Sequence, residues 1–125
     1  MAQQTTKATI ELDAQEMRKA YSSTVLELMK ENENVVILDA DLTSCIGTGG
    51  VAKIFPERMI NCGIQEANMM GVAAGLSSVG KIPFVHTFGP FATRRSYDQV
   101  FLAIGYSKQN VRIIGSDPGV TAAYN

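Results

Sequence analysis

The segment at residues 63–69, with the sequence GIQEANM, contains the side chain best placed for acid–base chemistry. It puts Glu66 in the first turn of a predicted helix, where the helix dipole favours a negative charge. On position alone, an acid there would only stabilise the helix, by about 0.3–1 kcal/mol. Residues 71–76 carry little polar surface, so we expect this helix to be almost wholly buried. The Glu66 carboxylate would then face a cavity that is partly shielded from water.

A second group of candidate residues lies at 86–94, after a predicted strand. Phe88, Phe91 and Arg94 bring two aromatic rings and a guanidinium onto one turn. Two phenylalanines are more often part of a hydrophobic core than of a binding site. The pattern by itself therefore leaves a ligand pocket and simple packing as alternatives.

Two weaker signals follow the first predicted strand. Asp39 and Asp41 could hold a divalent metal, but carboxylates at a strand end more often accept hydrogen bonds from nearby amides. The sequence GTGG at 47–50 could cradle a phosphate, yet it lacks the patterns of the P-loop and of the Rossmann turn. A flexible loop explains it better. Neither signal predicts a ligand without further support.

The composition is that of an ordinary globular protein of one domain. The chain has 125 residues, of which 46% are hydrophobic and 18% charged, and a formal net charge of -1. This charge argues against nucleic acid or an anionic membrane as the main partner, because both require a concentrated basic surface. Cys45, Cys62 and the single histidine, His86, are too few for a zinc site, so we predict no metal in this chain.

The sequence also predicts a cytoplasmic location. Its start lacks the charged-then-apolar order of a secretory signal. No apolar run approaches the roughly 20 residues that cross a bilayer. Two cysteines without a signal sequence fit a reducing compartment.

Hydrophobic spacing predicts strands that alternate with helices. Asp13, with Glu16 three positions later, is typical of a capping box at the start of the first helix. The alternation predicts an α/β domain over residues 13–125, with a mostly parallel sheet and helices on both faces, after a flexible segment at 1–12. The predicted helices span 14–32, 51–55, 65–79 and 92–107, the strands 35–38, 59–62, 82–88 and 111–115, and a loop 39–50.

The candidate residues above fall at one edge of this predicted sheet. In an open parallel sheet, ligands bind at the carboxyl ends of the strands. The last predicted helix carries Val100, Phe101 and Ile104 on one side. The segments that lie at the carboxyl ends are 39–50, 63–68, 86–94 and 116–125.

Three short motifs at this edge resemble those of the pyrimidine-binding domain of transketolases. They are a helix that opens with G-I-x-E-x-x-M, a strand that leads into T-F-x-x-F, and an A/S-D-L after the first strand. The resemblance runs from about residue 17 to 125, and the motifs are specific in combination. The matching residues are Gly63, Ile64, Glu66 and Met69, then Thr87, Phe88 and Phe91, then Ala40, Asp41 and Leu42.

The resemblance implies a transferase that uses thiamine diphosphate and moves a two-carbon ketol unit between sugar phosphates, as in the pentose phosphate pathway. Glu66 would hydrogen-bond the aminopyrimidine of the cofactor and exchange a proton with it, and the cofactor would then allow carbon–carbon cleavage in a ketose. The further cofactor-binding residues that the resemblance implies are Asp41, Leu42, Ile64, Phe88, Phe91 and Arg94.

The same resemblance implies partners. The diphosphate and Mg²⁺ would be held by a different domain, whose G-D-G…N pattern is absent from this sequence. Two copies would associate through the pyrimidine domain, so that Asp41 and Leu42 reach the cofactor across a dimer interface. The chain resembles the C-terminal subunit of split bacterial transketolases and would be incomplete at its own C-terminus. We therefore predict that it is inactive alone.

Three alternatives remain open at this level. Many transketolases have an aromatic residue where this chain has Arg94, although a guanidinium can also stack on a flat ring. Together with the sequence YDQ at 97–99, this brings the chain closer to deoxyxylulose-phosphate synthases. A second alternative is the β-subunit of a 2-oxoacid dehydrogenase. The third is a non-catalytic α/β module in which Glu66 only caps a helix.

Overall fold

Four parallel strands form the sheet of this domain, which a computed structural model describes over residues 13–119. The predicted flexible segment at 1–12 and residues 120–125 of the last predicted loop lie outside the described residues. The strands are β1 Val35–Asp39, β2 Met59–Asn61, β3 Ile82–Phe88 and β4 Arg112–Ser116. Their order in space is β2-β1-β3-β4, and each neighbouring pair is parallel, which confirms the predicted sheet.

The helices occupy most of the predicted stretches, with differences in bounds and type. They are α1 Met17–Glu31, α2 Thr43–Ile46, α3 Gly49–Ile54, α4 Glu66–Ser78 and α5 Tyr97–Gln99, with a 3₁₀ turn at Pro56–Arg58. Two π-helical segments, Phe91–Arg95 and Val100–Tyr106, flank α5, and the three together are called the composite helix. Within residues 13–119, no helix has the length and apolarity needed to cross a membrane.

β1 is the centre of the fold because both of its faces are buried. Successive side chains of a strand point to opposite faces of the sheet. Val35 and Ile37 therefore pack towards α1, whereas Val36 and Leu38 pack towards α4 and the composite helix. This arrangement confirms the prediction of helices on both faces. The helical residues in the two cores are Val25, Met29 and Val51 on the first side, and Met69, Met70, Ala73, Ala74 and Ile104 on the second.

The first helix begins at Met17, so the predicted capping box at its start is wrong. The Asp13 carboxylate accepts a hydrogen bond from the backbone N–H of Gln15 at 3.0 Å. Such a local turn competes with helix formation, which delays the start of α1. Glu16 occupies the N-cap position without a capping hydrogen bond from its side chain, which instead lies 3.8 Å from the Lys19 ammonium.

The predicted loop at 39–50 contains α2 and the start of α3, so it is only partly a loop. The two helices have four and six residues, which is too short for hydrophobic periodicity to predict them. Gly47, with a φ of +79°, ends α2 and reverses the chain into α3. Each helix has one buried apolar side chain, Ile46 in α2 and Val51 in α3.

α4 is buried on one side only, which corrects the expectation of a helix that is buried all round. Val72 and Val79 on its outer side are 36% and 75% exposed. Gly71 and Gly75 are also exposed. Because the residues of this segment are apolar or small on every side, their spacing does not reveal which side faces the sheet.

The composite helix departs from the single α-helix that the sequence predicts. Ser96 Oγ donates a hydrogen bond to the carbonyl of Phe91, five residues earlier, at 2.8 Å. The wide turns on either side of α5 change the helix register. As a result Ile104 is buried, whereas Phe101 is 56% exposed and stacks on Tyr97. Phe101 and Ile104, which the sequence predicted on one side of a single helix, therefore differ in burial.

Gly89 and Gly115 allow the segment after β3 to approach β4 closely. A Cβ atom on Gly115 would lie 3.0 Å from the Gly89 Cα. We expect Gly115→Ala to lower the free energy of unfolding by about 1–3 kcal/mol through overpacking, as measured by urea denaturation. The control is Gly50→Ala, because a Cβ there has no neighbour within 4 Å and alanine favours the helix by up to about 1 kcal/mol. Equal stability of the two variants would contradict this close approach.

Candidate functional site

Glu66 is the first residue of α4 and lies at the carboxyl edge of the sheet. The chain enters the helix through Gly63, whose φ of +73° favours glycine. The Glu66 carboxylate is buried, with the residue only 2% exposed. Oε1 accepts a hydrogen bond from Thr87 Oγ1 on β3, and Oε2 accepts one from Nη1 of Arg95 on the composite helix, both at 3.1 Å. Three elements of the fold therefore fix this buried charge, as a buried charge requires.

The guanidinium at this site belongs to Arg95 and not to Arg94. Arg95 forms an ion pair with Glu66, and its guanidinium carbon lies 3.8 Å from the centre of the Phe91 ring. Arg94 is exposed, and in the described part of the chain it is not a partner of Glu66. The adjacent arginines were visible in the sequence, but only the register of the π-helical segment selects between them.

Phe88 and Phe91 form an edge-to-face pair next to these contacts. Their ring centres are 6.2 Å apart and the rings are inclined at 60°. Both side chains are half-buried, so part of each ring remains accessible. Because Arg95 covers one face of Phe91, a flat ligand that stacks on this ring must use the other face or displace the guanidinium.

The turn after β1 carries two further predicted residues. Oδ1 of Asp39 accepts a hydrogen bond from the backbone N–H of Leu42, which is the amide-capping alternative for this carboxylate. Asp41 is exposed and has a φ of +65°, whereas Leu42 is half-buried. Ile64, in the turn before α4, is 74% exposed. In the range 13–119, no group of three or more His, Cys, Asp or Glu side chains could hold a metal ion.

A separate buried polar cluster lies on the face of the sheet that α1 covers. Nδ1 of His86 is 3.6 Å from Oδ2 of Asp39, and the Tyr21 ring centre is 6.4 Å from that of the imidazole. Burial, and next the Asp39 carboxylate, raise the pKa of the Tyr21 hydroxyl. The same two causes, in the same order, raise the pKa of the Cys62 thiol at the end of β2. Both groups therefore keep their protons to higher pH than usual.

A cavity of about 440 Å³ lies beside this cluster, between α1 and β4. It is lined by Tyr21 and Ser116 among other residues, but by none of the residues predicted to bind a cofactor. The cavity is therefore distinct from the Glu66 site.

The Glu66 site can hold a ligand that donates a hydrogen bond. A carboxylate offers about four acceptor positions, and Thr87 and Arg95 occupy two of them. The N-terminus of α4 stabilises negative charge at this point. The carboxylate can accordingly accept a hydrogen bond from a protonated heterocyclic nitrogen and exchange that proton with it, while the two phenylalanines provide an apolar wall.

Sequence reasoning assigned no role in the site to three residues that the structure places there. Thr87 belonged to a quoted motif, whereas Arg95 was visible only as the neighbour of Arg94. Asn61 carried no signal, because its side-chain contacts depend on how the turns after β1 and β2 meet. These contacts become apparent only when the strands are placed side by side.

The sequence and the fold are similar to those of known proteins. Residues 13–123 match the family model described as transketolase, pyrimidine binding domain. A 6-deoxy-6-sulfo-D-fructose transketolase subunit, SqwH, from Clostridium sp. (strain MSTE9) is 44% identical over 116 residues, which are 93% of this chain and 36% of the relative. A putative transketolase C-terminal section from Methanocaldococcus jannaschii is 46% identical over 105 residues, which cover 84% of this chain and 33% of the relative.

A solved structure shows the same relationship. It is described as a split gene transketolase, inactive beta4 tetramer, and is 51% identical to this chain with a TM-score of 0.72. The match covers 78% of this chain and 33% of that one. The chain therefore spans about a third of the length of these proteins.

The parallel sheet, with a buried acid at a helix start on its carboxyl edge, defines the α/β fold of a pyrimidine-binding domain. The chain belongs to the transketolase family, as its match to the pyrimidine-binding domain over residues 13–123 shows. Membership of this family implies the use of thiamine diphosphate. The names of the relatives favour transketolase over the alternatives of deoxyxylulose-phosphate synthase and 2-oxoacid dehydrogenase.

Proposed function

We propose that this chain supplies the aminopyrimidine half of a thiamine diphosphate site, with Glu66 as the residue that activates the cofactor. The observation that carries the proposal is the buried Glu66 carboxylate, which two side chains hold at the carboxyl edge of the sheet with acceptor positions to spare. Thiamine diphosphate, when bound, supplies the electron sink for carbon–carbon cleavage. The complete protein transfers a two-carbon ketol unit between sugars.

Each residue of the site has a distinct part in this proposal. Glu66 shares a proton with the ring nitrogen of the aminopyrimidine, donating it as the carboxylic acid and accepting a hydrogen bond from the protonated ring as the carboxylate, while Thr87 and Arg95 hold the side chain in place. Phe88 and Phe91 pack against the pyrimidine and exclude water. Ile64 adds apolar surface from the turn before α4. A cofactor contact by Arg94 stays a prediction, because that side chain is exposed.

The chain does not act alone in this proposal. It spans about a third of relatives that are described as a subunit or a C-terminal section. We propose that a separate domain or subunit holds the diphosphate and Mg²⁺, since the residues of the described range that surround Glu66 include no set of metal ligands. The 125-residue chain by itself is then inactive in ketol transfer, and it works in a cytoplasmic complex.

A second copy of this chain is the proposed partner for the exposed apolar surface of α4 and the composite helix. This surface combines the outer side of α4, including Val72, Gly75 and Val79, with the exposed Phe101 and Tyr106 of the composite helix, which are 56% and 79% exposed. Such a patch is typical of an association surface. The related split transketolase forms a beta4 tetramer. A homodimer formed here places Asp41 and Leu42 of one copy towards the cofactor of the other.

The substrates of relatives suggest two classes of sugar. We propose sugar phosphates, as for a relative from Phocaeicola vulgatus that is described as a subunit of an apulose-4-phosphate transketolase. A sulfonated sugar is the second candidate, because the relative SqwH is described as a 6-deoxy-6-sulfo-D-fructose transketolase subunit. Both classes carry an anionic group remote from the ketose carbonyl. Assays of the complete protein with one donor of each class distinguish them, and a place in the pentose phosphate pathway stays a prediction.

Glu66→Gln tests the catalytic role in the protein assembled with its partner subunit. Glutamine is nearly isosteric but does not exchange the proton, so we expect kcat to fall by about 10²- to 10⁴-fold at saturating cofactor, with the melting temperature little changed. Glu57→Gln, at an exposed acid in the 3₁₀ turn, is the control. Wild-type turnover in Glu66→Gln would contradict the catalytic assignment and favour a helix-capping role.

The paired variants Arg95→Leu and Arg94→Leu test which arginine serves the site. Removing a hydrogen bond to a buried charge costs about 1.5–3 kcal/mol. We therefore expect Arg95→Leu to lower kcat/KM by at least about tenfold, measured with saturating Mg²⁺. Arg94→Leu should change it by less than about threefold, because Arg95 and not Arg94 contacts Glu66. A larger effect at Arg94 would support the sequence-based assignment instead.

Gly75→Arg tests the homodimer. A Cβ at Gly75 has no neighbour within 4 Å in the single chain, so the arginine should not disturb the fold. In a dimer that buries this surface, the long charged side chain blocks association, and we expect the mass of the assembly to fall by half in light scattering. Thr24→Arg adds the same charge at an exposed site on α1 as a control. An unchanged mass for Gly75→Arg would place the interface elsewhere.

A further inference from the structure

Two turns with left-handed backbone leave neighbouring strands at the same level of the sheet. β1 and β2 pair in register, with Asp39 opposite Asn61. After β1 the chain turns at Asp41, with a φ of +65°, and after β2 it turns at Gly63, with a φ of +73°. The first turn leads to Leu42, and the second leads into α4 and Glu66. Both turns therefore carry residues that the proposed function places at the cofactor.

The side chain of Asn61 joins these two turns. Its Nδ2 donates a hydrogen bond to Oδ1 of Asp41, and its Oδ1 accepts one from the backbone N–H of Gly63, both at 2.9 Å. One planar amide thus links the two turns, in addition to the backbone hydrogen bond that the Cys62 N–H donates to the carbonyl of Asp39 at 2.8 Å. A second hydrogen bond stabilises the Asp41 turn, because the Asp39 carboxylate accepts a hydrogen bond from the backbone N–H of Leu42.

An aspartate in the left-handed region is conformationally unfavourable unless its surroundings hold it there. The bond from Asn61 is the contact that the Asp41 side chain makes with a neighbouring strand in the described structure. Because a carboxylate only accepts hydrogen bonds, the Asn61 amide must turn its NH₂ group, and not its oxygen, towards Oδ1 of Asp41. Loss of Asn61 should consequently loosen the Asp41 turn as well as the Gly63 turn.

We infer that Asn61 is a positioning residue that holds the turn of Asp41 and Leu42 in place relative to the turn that leads into Glu66, so that each turn reaches its own cofactor in the proposed homodimer. The inference rests on the proposed function, because it concerns the same site. Glu66 is held independently by Thr87 and Arg95. Substitution of Asn61 should therefore weaken cofactor binding without removing the chemistry.

Two variants separate the two hydrogen bonds. Asn61→Ala removes both, whereas Asn61→Asp keeps the acceptor for Gly63 but loses the donor and places a like charge beside Asp41. Asn34→Ala is the matched control, because Asn34 also bonds a distant side chain, Lys81 at 3.2 Å, but lies at the opposite end of the sheet. All three are made in the protein assembled with its partner subunit.

The first measurement is a titration with thiamine diphosphate and Mg²⁺, read by calorimetry and by activity. We expect both Asn61 variants to raise the Kd and the half-saturating cofactor concentration by about three- to tenfold, with kcat at saturation within about twofold. Asn34→Ala should leave both values as in the wild type. A fall in kcat at unchanged cofactor affinity would contradict a positioning role.

The second measurement is amide hydrogen exchange without cofactor, followed in peptides that separate Leu42 from Gly63. We expect Asn61→Asp to speed exchange at Leu42 while Gly63 stays protected, and Asn61→Ala to speed both. Exchange at Leu42 that equals the wild type in both variants overturns the coupling, whatever the cofactor does. If instead Glu66→Gln keeps full turnover, the proposed function fails while this exchange result still decides the coupling.

Discussion

The buried carboxylate of Glu66 is the constraint on which the rest of the site depends. A charge with 2% of its residue exposed must be hydrogen-bonded. β3 provides Thr87 and the composite helix provides Arg95, so the site exists only when these elements pack against the start of α4. Each contact to the charge is worth about 1.5–3 kcal/mol. Folding and the assembly of the site are therefore coupled through one side chain.

The sheet supplies the geometry for this interaction. β1 is buried on both faces, and its parallel pairing with β2 and β3 brings the ends of three strands to one edge. The turns after these strands then carry Asp41, the segment before Glu66, and the Phe88–Phe91 pair within a small volume. The Asn61 side chain forms hydrogen bonds with the turn after β1 and with the turn after β2. The outer side of α4 begins at this edge and runs back towards the start of β3, so the proposed association surface extends away from Glu66.

The strands were predictable from the sequence because short apolar runs bounded by turn residues are typical of buried strands. The start of α1 was not, because the Asp13 side chain forms a local turn in place of a helix cap. The orientation of α4 was not predictable either, since its residues are apolar or small on every side. The short helices α2 and α3 leave no periodic signal. In the site, the position of Glu66 followed from its motif, whereas the partnership with Arg95 did not.

The sequence by itself determined the fold class, the parallel sheet, the family and the acid at the start of α4, because these follow from local pattern and short motifs. Tertiary structure decided which arginine meets the acid, which side of α4 stays exposed and how Asn61 links two turns. The register of a π-helical segment and the pairing of distant strands set these contacts. Such contacts join residues far apart in the chain, so hydrophobic spacing carries no information about them.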